Sequence, residues 1–457
     1  MGTQGRILAF VGLAAAAGLV AIIYGQWRRR QEEEDRRGAG EDESSGDMLT
    51  LPVIDFDKYN ARDKNKDEYR LECDKVAQAL HKYGVCVVRD PRVKESDNNR
   101  FLDMMERYFE ISDGIRDARP EFAFQVGVTP EFTGKQPYSV HRLSLPSKHL
   151  TPLPPTPHTP ERPRNHCTRM GSLGPNNKPL SPCPPELDPK WRFFWRIGPV
   201  PPKTNFPSLN ADAVIPPEIP EWSEVMDMWG NKMQQAVFVL AEMAAEGFSM
   251  PSDAFTSRMM YGPHLLAPTG SDFNKFGEKD TVLAGYHYDL NFLTIHGKSR
   301  FPGLNVWTRE GRRMGVAIPD GCLLVQAGRQ IEYLTGASLL LLFSPLSLPL
   351  PSLSHSPSPL SSPFSSHAGG HVLAGYHEVI VNDHTLAAIS AKKAKRQSLW
   401  RVSSTLFAHI QSDQVLEPLA PFSTKESMQI FPAKKAGQQV TEELQAINLD
   451  QTPGASK

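Results

Sequence analysis

The chain has 457 residues and a formal net charge of −1, which allows one large domain or two ordinary ones and gives no basis for nucleic acid as a partner. Its five cysteines lie at scattered spacings without a Cys-x-x-Cys pair. This usage argues against a zinc knuckle and a disulfide framework, and it predicts a reducing compartment.

An uncharged apolar run at residues 7–24 precedes three arginines at residues 28–30. As a helix the run would extend about 27 Å, close to the thickness of a bilayer's hydrocarbon core. We therefore predict a single-pass membrane anchor at residues 1–30, with the rest of the chain facing the cytosol because positive charge follows the run. A cleaved secretory signal is disfavoured, because only Arg6 precedes the run and the main positive cluster follows it. An organelle-targeting sequence and a soluble cytoplasmic protein are the alternatives. Residues 31–48 are acidic and contain Gly and Ser, which predicts a disordered linker.

The first half of the remaining chain alternates strand and helix patterns. Leu-Pro-Val-Ile-Asp-Phe at residues 51–56 predicts an opening strand, and residues 67–84 have helical apolar spacing that ends at Gly84 as a C-cap. Residues 85–88 predict a buried strand and residues 101–109 a second amphipathic helix, whose aromatic and methionine side chains we assign to the core.

Two further segments differ sharply in character. Residues 146–163 contain seven prolines and no hydrophobic period, so we predict neither a helix nor a central strand there. Residues 221–245 have strong helical periodicity, and we interpret them as a scaffold helix that supports a sheet.

Residues 284–294 predict a strand that could carry a metal site. Side chains at positions i and i+2 of a strand share a face, so His287 and Asp289 can point into one cavity. One more histidine would complete a two-His, one-carboxylate triad that leaves three positions of Fe(II) open. His377, His371 and His384 are the candidates downstream. We predict that His264 and His296 are not ligands.

The chain from residue 261 onward consists of short, turn-bounded strand patterns, which predict a jelly roll or a barrel. Within it, residues 399–407 alternate so that Arg401 and Ser403 share one face with apolar neighbours. A buried arginine needs an anion, and its planar fork suits a carboxylate. The alternative is an internal salt bridge.

These motifs together resemble the isopenicillin N synthase-like 2-oxoglutarate/Fe(II) dioxygenases. The resemblance rests on the opening strand, on Ala-Leu-His-Lys-Tyr-Gly-Val-Cys-Val-Val at residues 79–88, on the Gly-Leu-x-Val strand at 303–306, on the Pro-Asp-Gly turn at 319–321 and on Leu-Thr-Gly at 334–336. It extends over residues 51–422.

The resemblance implies a site and its cofactors. Matching positions make His287, Asp289 and His377 the ligands of Fe(II), and they make Arg401 and Ser403 the clamp for 2-oxoglutarate, with ascorbate as an additional reductant. The implied activity is hydroxylation of a small organic substrate, with desaturation or cyclisation as other outcomes. Two alternatives stay open: an Fe(II) oxidase that uses no 2-oxoglutarate, and a catalytically inactive jelly-roll binding scaffold.

The implied fold is mainly β with flanking helices (α+β): a double-stranded β-helix, or jelly roll, with an N-terminal helical and strand region packed on it, plus the transmembrane helix. Its predicted parts follow the chain: the anchor at 1–30, the linker at 31–48, the N-terminal dioxygenase region at 49–200 with a proline-rich insert near 143–163, the jelly roll at 201–425 with an insert at 337–370, and a C-terminal tail at 426–457.

The sequence departs from the family pattern in two places. The 34 residues at 337–370 include 6 Pro, 11 Ser and 9 Leu but no Asp, Glu, Lys or Arg, a composition that favours a retained intron or a wrongly assigned exon. The proline-rich stretch near residues 143–163 favours the same explanation. In addition, residues 264–268 lack the tyrosine that the family often uses to hold 2-oxoglutarate, which weakens the cosubstrate assignment more than the iron assignment.

Overall fold

The structure is a computed structural model that describes four stretches of the chain, residues 51–133, 161–183, 185–336 and 371–446. The predicted anchor at 1–30, the predicted linker at 31–48, the insert at 337–370 and most of the proline-rich stretch lie outside these residues. Within the four stretches, no helix is both long enough and apolar enough to cross a membrane. The division of the chain near residue 200 stays a prediction.

Strands and helices alternate along the described chain. The strands are β1 Val53–Asp55, β2 Val85–Arg89, β3 Gly127–Thr129, β4 Trp191–Ile197, β5 His264–Leu266, β6 Thr269–Asp272, β7 Val282–His287, β8 Leu293–His296, β9 Leu304–Trp307, β10 Arg313–Gly315, β11 Cys322–Ala327, β12 His377–Ile380, β13 Trp400–Ser403, β14 Thr405–Ala408, β15 Val415–Leu416 and β16 Lys434–Lys435. The α-helices are α1 Phe56–Asn60, α2 Lys66–Tyr83, α3 Glu95–Ile111, α4 Glu161–Ser172, α5 Trp222–Gly247, α6 Thr256–Met259, α7 Phe273–Phe276, α8 Arg329–Leu334, α9 Asp383–Ala394, α10 Lys425–Ile430 and α11 Ala436–Ala446.

Helix α2 has clear start and stop signals. The Asn65 side chain accepts a hydrogen bond from the Glu68 amide and caps the first turn. Gly84 ends the helix at a φ of 65°, a left-handed conformation that favours glycine, and β2 begins at the next residue. The predicted helix, its C-cap and the following buried strand are therefore all present.

The long helix α5 lies at the centre of the largest hydrophobic core. Val225, Trp229, Met233 and Leu240 are buried along one face of it. The helix packs against α2 and α3 on one side and against β4 and β14 of the sheet on the other. The scaffold helix predicted from its periodicity is thus a helix that backs the sheet.

The strands form two larger sheets and one small pair. Ten of the described strands form the main sheet, in the order β1-β2-β11-β8-β14-β5-β4-β6-β13 with β3 paired to β4. A four-stranded sheet has the order β10-β9-β12-β7, and β15 pairs with β16. This mixed, sheet-rich architecture with flanking helices agrees with the predicted jelly-roll fold class.

The main sheet separates a hydrophobic core from a cavity. On β4, Phe193 and Trp195 belong to the core that contains α5, whereas Arg192 and Phe194 line the cavity. The same alternation holds on β14, where Leu406 is in the core. Successive side chains on a strand point to opposite faces, so the helices cover one face of the sheet and the other face is free for a site.

Two predicted strands are each interrupted. Residues 284–294 form β7 and β8 with a loop at 288–292 between them, so Asp289 lies beyond the end of β7 and not on the same strand as His287. The strand predicted at residues 399–407 is interrupted at Ser404, whose carbonyl accepts from the Gly297 amide at 2.8 Å and whose hydroxyl lies 3.0 Å from Asn98 Oδ1. A one-residue break keeps the parity of the alternation, so the shared face survives.

Two local expectations from the sequence are wrong. Cys167 and Cys183 form a disulfide with their Cα atoms 5.7 Å apart, while Cys73, Cys86 and Cys322 are free and buried. The pairing depends on the chain reversing direction after α4, which the cysteine spacing does not reveal. The proline-rich stretch also overlaps the start of α4, because Pro163 is in its first turn, where a missing N–H is tolerated.

Candidate metal and cosubstrate site

Two histidines meet across a pair of antiparallel strands. His287 is the last residue of β7 and His377 is the first residue of β12, and they are direct partners in the ladder. Their ring centroids are 4.2 Å apart. Direct cross-strand partners project from the same face, so both imidazoles enter the space between the two sheets.

Each histidine of this pair is the last residue of the same hexapeptide. Val-Leu-Ala-Gly-Tyr-His occurs at residues 282–287 and again at residues 372–377. In each copy the histidine Nδ1 lies near the carbonyl oxygen of the glycine two residues earlier, at 2.6 Å from Gly285 for His287 and 3.1 Å from Gly375 for His377. A Nδ1–H that donates to a carbonyl leaves the Nε2 lone pair for a metal. The repeat is a sequence signal that single motifs, taken one at a time, do not reveal.

The carboxylate of Asp289 is positioned by two elements. The Thr294 hydroxyl of β8 donates to Asp289 Oδ2 at 2.6 Å. The amide of Arg329, the first residue of α8, donates to the Asp289 carbonyl oxygen at 2.8 Å. Oδ1 therefore faces the histidines, at 3.7 Å from His287 Nε2 and 3.9 Å from His377 Nε2. Thr294 was not among the predicted site residues, because a threonine in a strand carries no signal of its own.

The three side chains form a compact donor set. One ligand atom from each of His287, Asp289 and His377 lies within 4.8 Å of the others, and Asp289 and His377 are buried. Two imidazole nitrogens and one carboxylate oxygen on one side of a point suit a non-haem Fe(II) and leave its other side open. The donor set therefore fits the metal that the sequence resemblance implies.

The other candidate histidines are engaged elsewhere or lie outside the donor set. Both ring nitrogens of His296 are within hydrogen-bonding distance of protein atoms, Thr405 Oγ1 at 3.0 Å and Gln326 Oε1 at 2.8 Å. Burial lowers the pKa of His296 to about 4, so it stays neutral. His371 stacks on the ring of His81 at 4.2 Å, and His384 lines the cavity outside the cluster.

Arg401 is a buried cation without an acidic partner among the described residues. It lies on β13 beside Ser271 of β6 and is 7% exposed. Its Nε has no hydrogen-bond partner, and no ion pair joins it to any residue in the described stretches. Burial lowers the pKa of Arg401 to about 10, which still leaves the guanidinium charged. The predicted alternative of an internal salt bridge is absent from this part of the chain, so the site calls for an anion from outside.

Ser403 continues the polar face that Arg401 begins. Its Oγ lies 2.8 Å from Thr405 Oγ1, which in turn lies 3.0 Å from His296 Nδ1. If His296 donates from Nε2 to Gln326, the Thr405 hydroxyl donates to Nδ1 and accepts from Ser403. Hydrogen bonds thus connect Ser403 through Thr405 to His296, whose ring centroid lies 6.5 Å from that of His377.

One cavity of about 850 Å³ is lined by the predicted metal ligands and by Arg401 and Ser403. The cavity is lined by the donor set of His287, Asp289 and His377, by Arg401, Ser403 and His296, and by apolar residues of the main sheet. This volume is within the range of small-molecule sites. All five site residues predicted from the sequence therefore lie in a single cavity.

Comparison with known proteins finds matches among solved structures. No protein-family model matches the sequence, and no curated protein matches it either. A Caulobacter crescentus protein assigned to the 2OG-Fe(II) oxygenase family has a TM-score of 0.56 at 17% identity, covering 88% of this chain and 100% of that one. A full-length Neurospora crassa protein, solved in complex with alpha-KG, has a TM-score of 0.56 at 13% identity, covering 89% and 98%.

A third solved structure extends the comparison. JOX2, in complex with 2OG, Fe and JA, has a TM-score of 0.52 at 14% identity and covers 87% of this chain and 86% of its own. Identities this low show a common fold. The resemblance to 2-oxoglutarate/Fe(II) oxygenases that the sequence indicated is therefore confirmed for the fold.

Proposed function

We propose that this chain, which has the fold of the 2-oxoglutarate/Fe(II) oxygenases, is itself an Fe(II)- and 2-oxoglutarate-dependent oxygenase that hydroxylates a small organic substrate. One observation carries the proposal: His287, Asp289 and His377 converge in the cavity where Arg401 is buried without an acidic partner in the described chain. The cosubstrates of two similar folds, alpha-KG with the Neurospora crassa protein and 2OG and Fe with JOX2, support it.

The residues of the chain have distinct tasks in this reaction. Fe(II) and 2-oxoglutarate, when bound, would provide the redox chemistry that reduces dioxygen and oxidises the substrate. His287, Asp289 and His377 would hold the metal, each through one ligand atom. The backbone carbonyls of Gly285 and Gly375 keep the two imidazoles in the tautomer that can bind.

Arg401 and Ser403 bind the far carboxylate of 2-oxoglutarate. The planar guanidinium can accept a carboxylate with two parallel hydrogen bonds, and the buried position strengthens each of them. Binding there relieves the desolvation of Arg401, because the cation gains the counter-ion that the described chain does not supply.

Anaerobic titration of the full chain with Fe(II) and 2-oxoglutarate tests the proposal. We expect a visible charge-transfer absorption that requires both components and disappears in His377→Ala. His384→Ala is the matched control, because His384 lines the same cavity outside the donor set, and it should keep the band.

Arg401→Gln separates the cosubstrate from the metal. We expect the variant to retain iron. The 2-oxoglutarate concentration that gives half of the maximal absorption should rise about 10- to 100-fold, since hydrogen bonds to a charged partner are lost. Iron binding without any band in the parent chain would favour an oxidase in which Arg401 holds a carboxylate of the substrate. No iron binding at all would favour an inactive scaffold.

We also propose that residues 1–30 anchor the enzyme to a membrane. The support is the apolar run at residues 7–24 and the arginines that follow it, all of which lie outside the described residues. Alkaline extraction of membranes should leave the full chain in the pellet and release a chain that lacks residues 1–30. Release of both would contradict the anchor.

A further inference from the structure

A second arginine, Arg192, lines the same cavity. Arg192 lies on β4, where it pairs with Thr269 of β6, and Thr269 pairs in turn with Ser403 of β13. Arg192 and Ser403 are thus in one row of the main sheet with a strand between them. Because neighbouring strands are about 4.8 Å apart, the backbones that carry Arg192 and Arg401 are separated by roughly 10 Å or more.

Most of the cationic side chains that line the cavity form ion pairs within the described part of the chain, but Arg192 does not. Lys190 pairs with Asp188 at 2.7 Å, Lys298 pairs with Asp320, and Arg300 pairs with Asp103 at 2.7 Å and Glu106 at 3.0 Å. Among the cavity-lining lysines and arginines that the structure describes, only Arg192 and Arg401 have no ion pair.

The nearest acid is already engaged. The charge of Asp188 acts on Arg192 and partly offsets the lowering of its pKa by burial. However, the Asp188 carboxylate is held by Lys190 and also accepts from the Gly285 amide at 2.8 Å. Arg192 therefore offers an unbalanced positive charge to the cavity.

An apolar surface lies directly beside this charge. The Arg192 guanidinium carbon is 5.6 Å from the centre of the Phe194 ring, and Phe194 meets Phe407 edge to face at 6.3 Å. Phe194, Phe407 and Leu265 form a hydrophobic cluster, and all three line the cavity. Aromatic faces next to a cation suit a ligand with an apolar body and an anionic end.

We propose that Arg192 binds a carboxylate of the substrate, so that the substrate is an amphipathic monocarboxylic acid whose apolar part contacts Phe194, Leu265 and Phe407. One unbalanced cation matches one negative charge, and the planar guanidinium matches the geometry of a carboxylate. This inference deepens the proposed function and rests on it in one respect: the acid occupies the same cavity as 2-oxoglutarate, which Arg401 holds.

Calorimetric titration of the full chain with ω-phenylalkanoic acids, each beside its uncharged carboxamide, tests the inference. We expect the parent chain to bind at least one acid about tenfold or more tightly than its amide. In Arg192→Gln the affinity for that acid should fall about 10- to 100-fold while the affinity for the amide stays unchanged. Lys298→Gln, which removes a paired cation of the same cavity, should preserve the preference.

The Fe(II)/2-oxoglutarate absorption, recorded on the same variants, separates the two proposals. An unchanged band in Arg192→Gln with loss of the acid preference supports the inference. A parent chain that does not distinguish any acid from its amide overturns it, and so does a preference that persists in Arg192→Gln.

The remaining outcomes concern the cosubstrate. If Arg192→Gln raises the 2-oxoglutarate requirement as much as Arg401→Gln does, Arg192 holds the cosubstrate and the inference is wrong. If no band forms in any variant but the acid preference depends on Arg192, the anion site stands and the proposed oxygenase function fails.

Discussion

Thr294 is fully buried on β8, with its hydroxyl 2.6 Å from Asp289 Oδ2 and 3.2 Å from Asn291 Oδ1. A hydroxyl has one proton to donate, and the shorter contact to a charged oxygen takes it. The amide of Asn291 donates to the carbonyls of Leu293 and Ala408, so its own oxygen is turned toward Thr294. The hydroxyl therefore selects which carboxylate oxygen of Asp289 remains for a metal.

Thr294→Val removes this donor with little change of shape. We expect the affinity for Fe(II) to fall about 10- to 100-fold, as is typical when a group that orients a metal ligand is lost. The buried Oδ2 would also lose its partner, at a cost of about 1–3 kcal/mol in the free energy of unfolding. Competition with a chelator under anaerobic conditions measures the affinity.

Thr294→Ser is the matched control, because it retains the hydroxyl and removes only a methyl group. It should restore most of the iron affinity. Equal losses in both variants would mean that packing of the side chain, and not its proton, positions Asp289.

At the residue scale, the sequence pointed to groups whose chemistry is unusual in their setting, and the structure places them in one cavity, while their roles stay predictions. His287, Asp289 and His377 combine ligand types with a family pattern, and Arg401 is a charged residue on a strand face that also includes apolar side chains. Thr294 could not be found in this way, because threonine is common in strands and its role appears only when the loop at 288–292 returns to it.

Helix α8 fixes the loop that carries Asp289. The amides of Gly328, Arg329 and Gln330 donate to the carbonyls of Phe292, Asp289 and Asn291. Gly328 permits this close approach, since a Cβ at that position would overlap the carbonyl oxygen of Asn291. The start of α8 thereby satisfies loop carbonyls that a continuous strand would have paired.

Gly328→Ala should displace the loop and destabilise the fold by about 1–3 kcal/mol, the usual range for overpacking. Urea unfolding monitored by tryptophan fluorescence measures the loss. Iron affinity should fall as well, because Asp289 moves with its backbone.

Gly171→Ala is the control for the loss of a glycine as such. Gly171 is an exposed residue of α4, and nothing lies within 4 Å of a Cβ built there. It should be neutral or slightly stabilising. A Gly328→Ala protein as stable as this control would refute the role of the close approach.

At the element scale, local patterns predicted α2, β2 and α5 because their signals lie within their own residues. The single strand predicted over 284–294 failed because the amides that end it come from α8, about forty positions downstream. The expectation about the cysteines failed for the same reason, since Cys167 and Cys183 meet only when α4 and the residues after it have folded. Contacts between distant segments override local preference.

The whole fold should lose stability in acid through two buried histidines. His264 and His409 are 1% and 4% exposed, and burial, with the charge of Arg196, lowers the pKa of each to about 3. The unfolded chain titrates near pH 6.5. Between these values the unfolded state takes up protons that the folded state excludes, so stability is complete above about pH 6.5 and declines as the pH falls.

Each of these histidines should lower the free energy of unfolding by about 1.4 kcal/mol per pH unit below pH 6.5. Urea unfolding at several pH values between about 7.5 and 5 measures the slope. His264→Gln should reduce the slope by the share of one histidine, even if the variant is less stable at neutral pH. An unchanged slope would exclude His264 as a contributor.

At the scale of the whole molecule, the order of the motifs predicted a jelly-roll fold that the structure and its neighbours confirm. Two of these motifs form strands in different sheets, since residues 85–88 lie in β2 of the main sheet and residues 304–306 in β9 of the four-stranded sheet. The anchor, the linker and the insert at 337–370 remain predictions, since they lie outside the described residues.

The two histidines lie on the four-stranded sheet, whereas Thr294, which orients Asp289, lies on the main sheet. An ion bound by all three ligands would act as a cross-link between residues 289 and 377, which are 88 positions apart. Unfolding must release that ion, so free Fe(II) at a hundred times its dissociation constant would add about 2.7 kcal/mol to the free energy of unfolding. The concentration of free iron would then affect both the stability of the folded chain and the rate of catalysis.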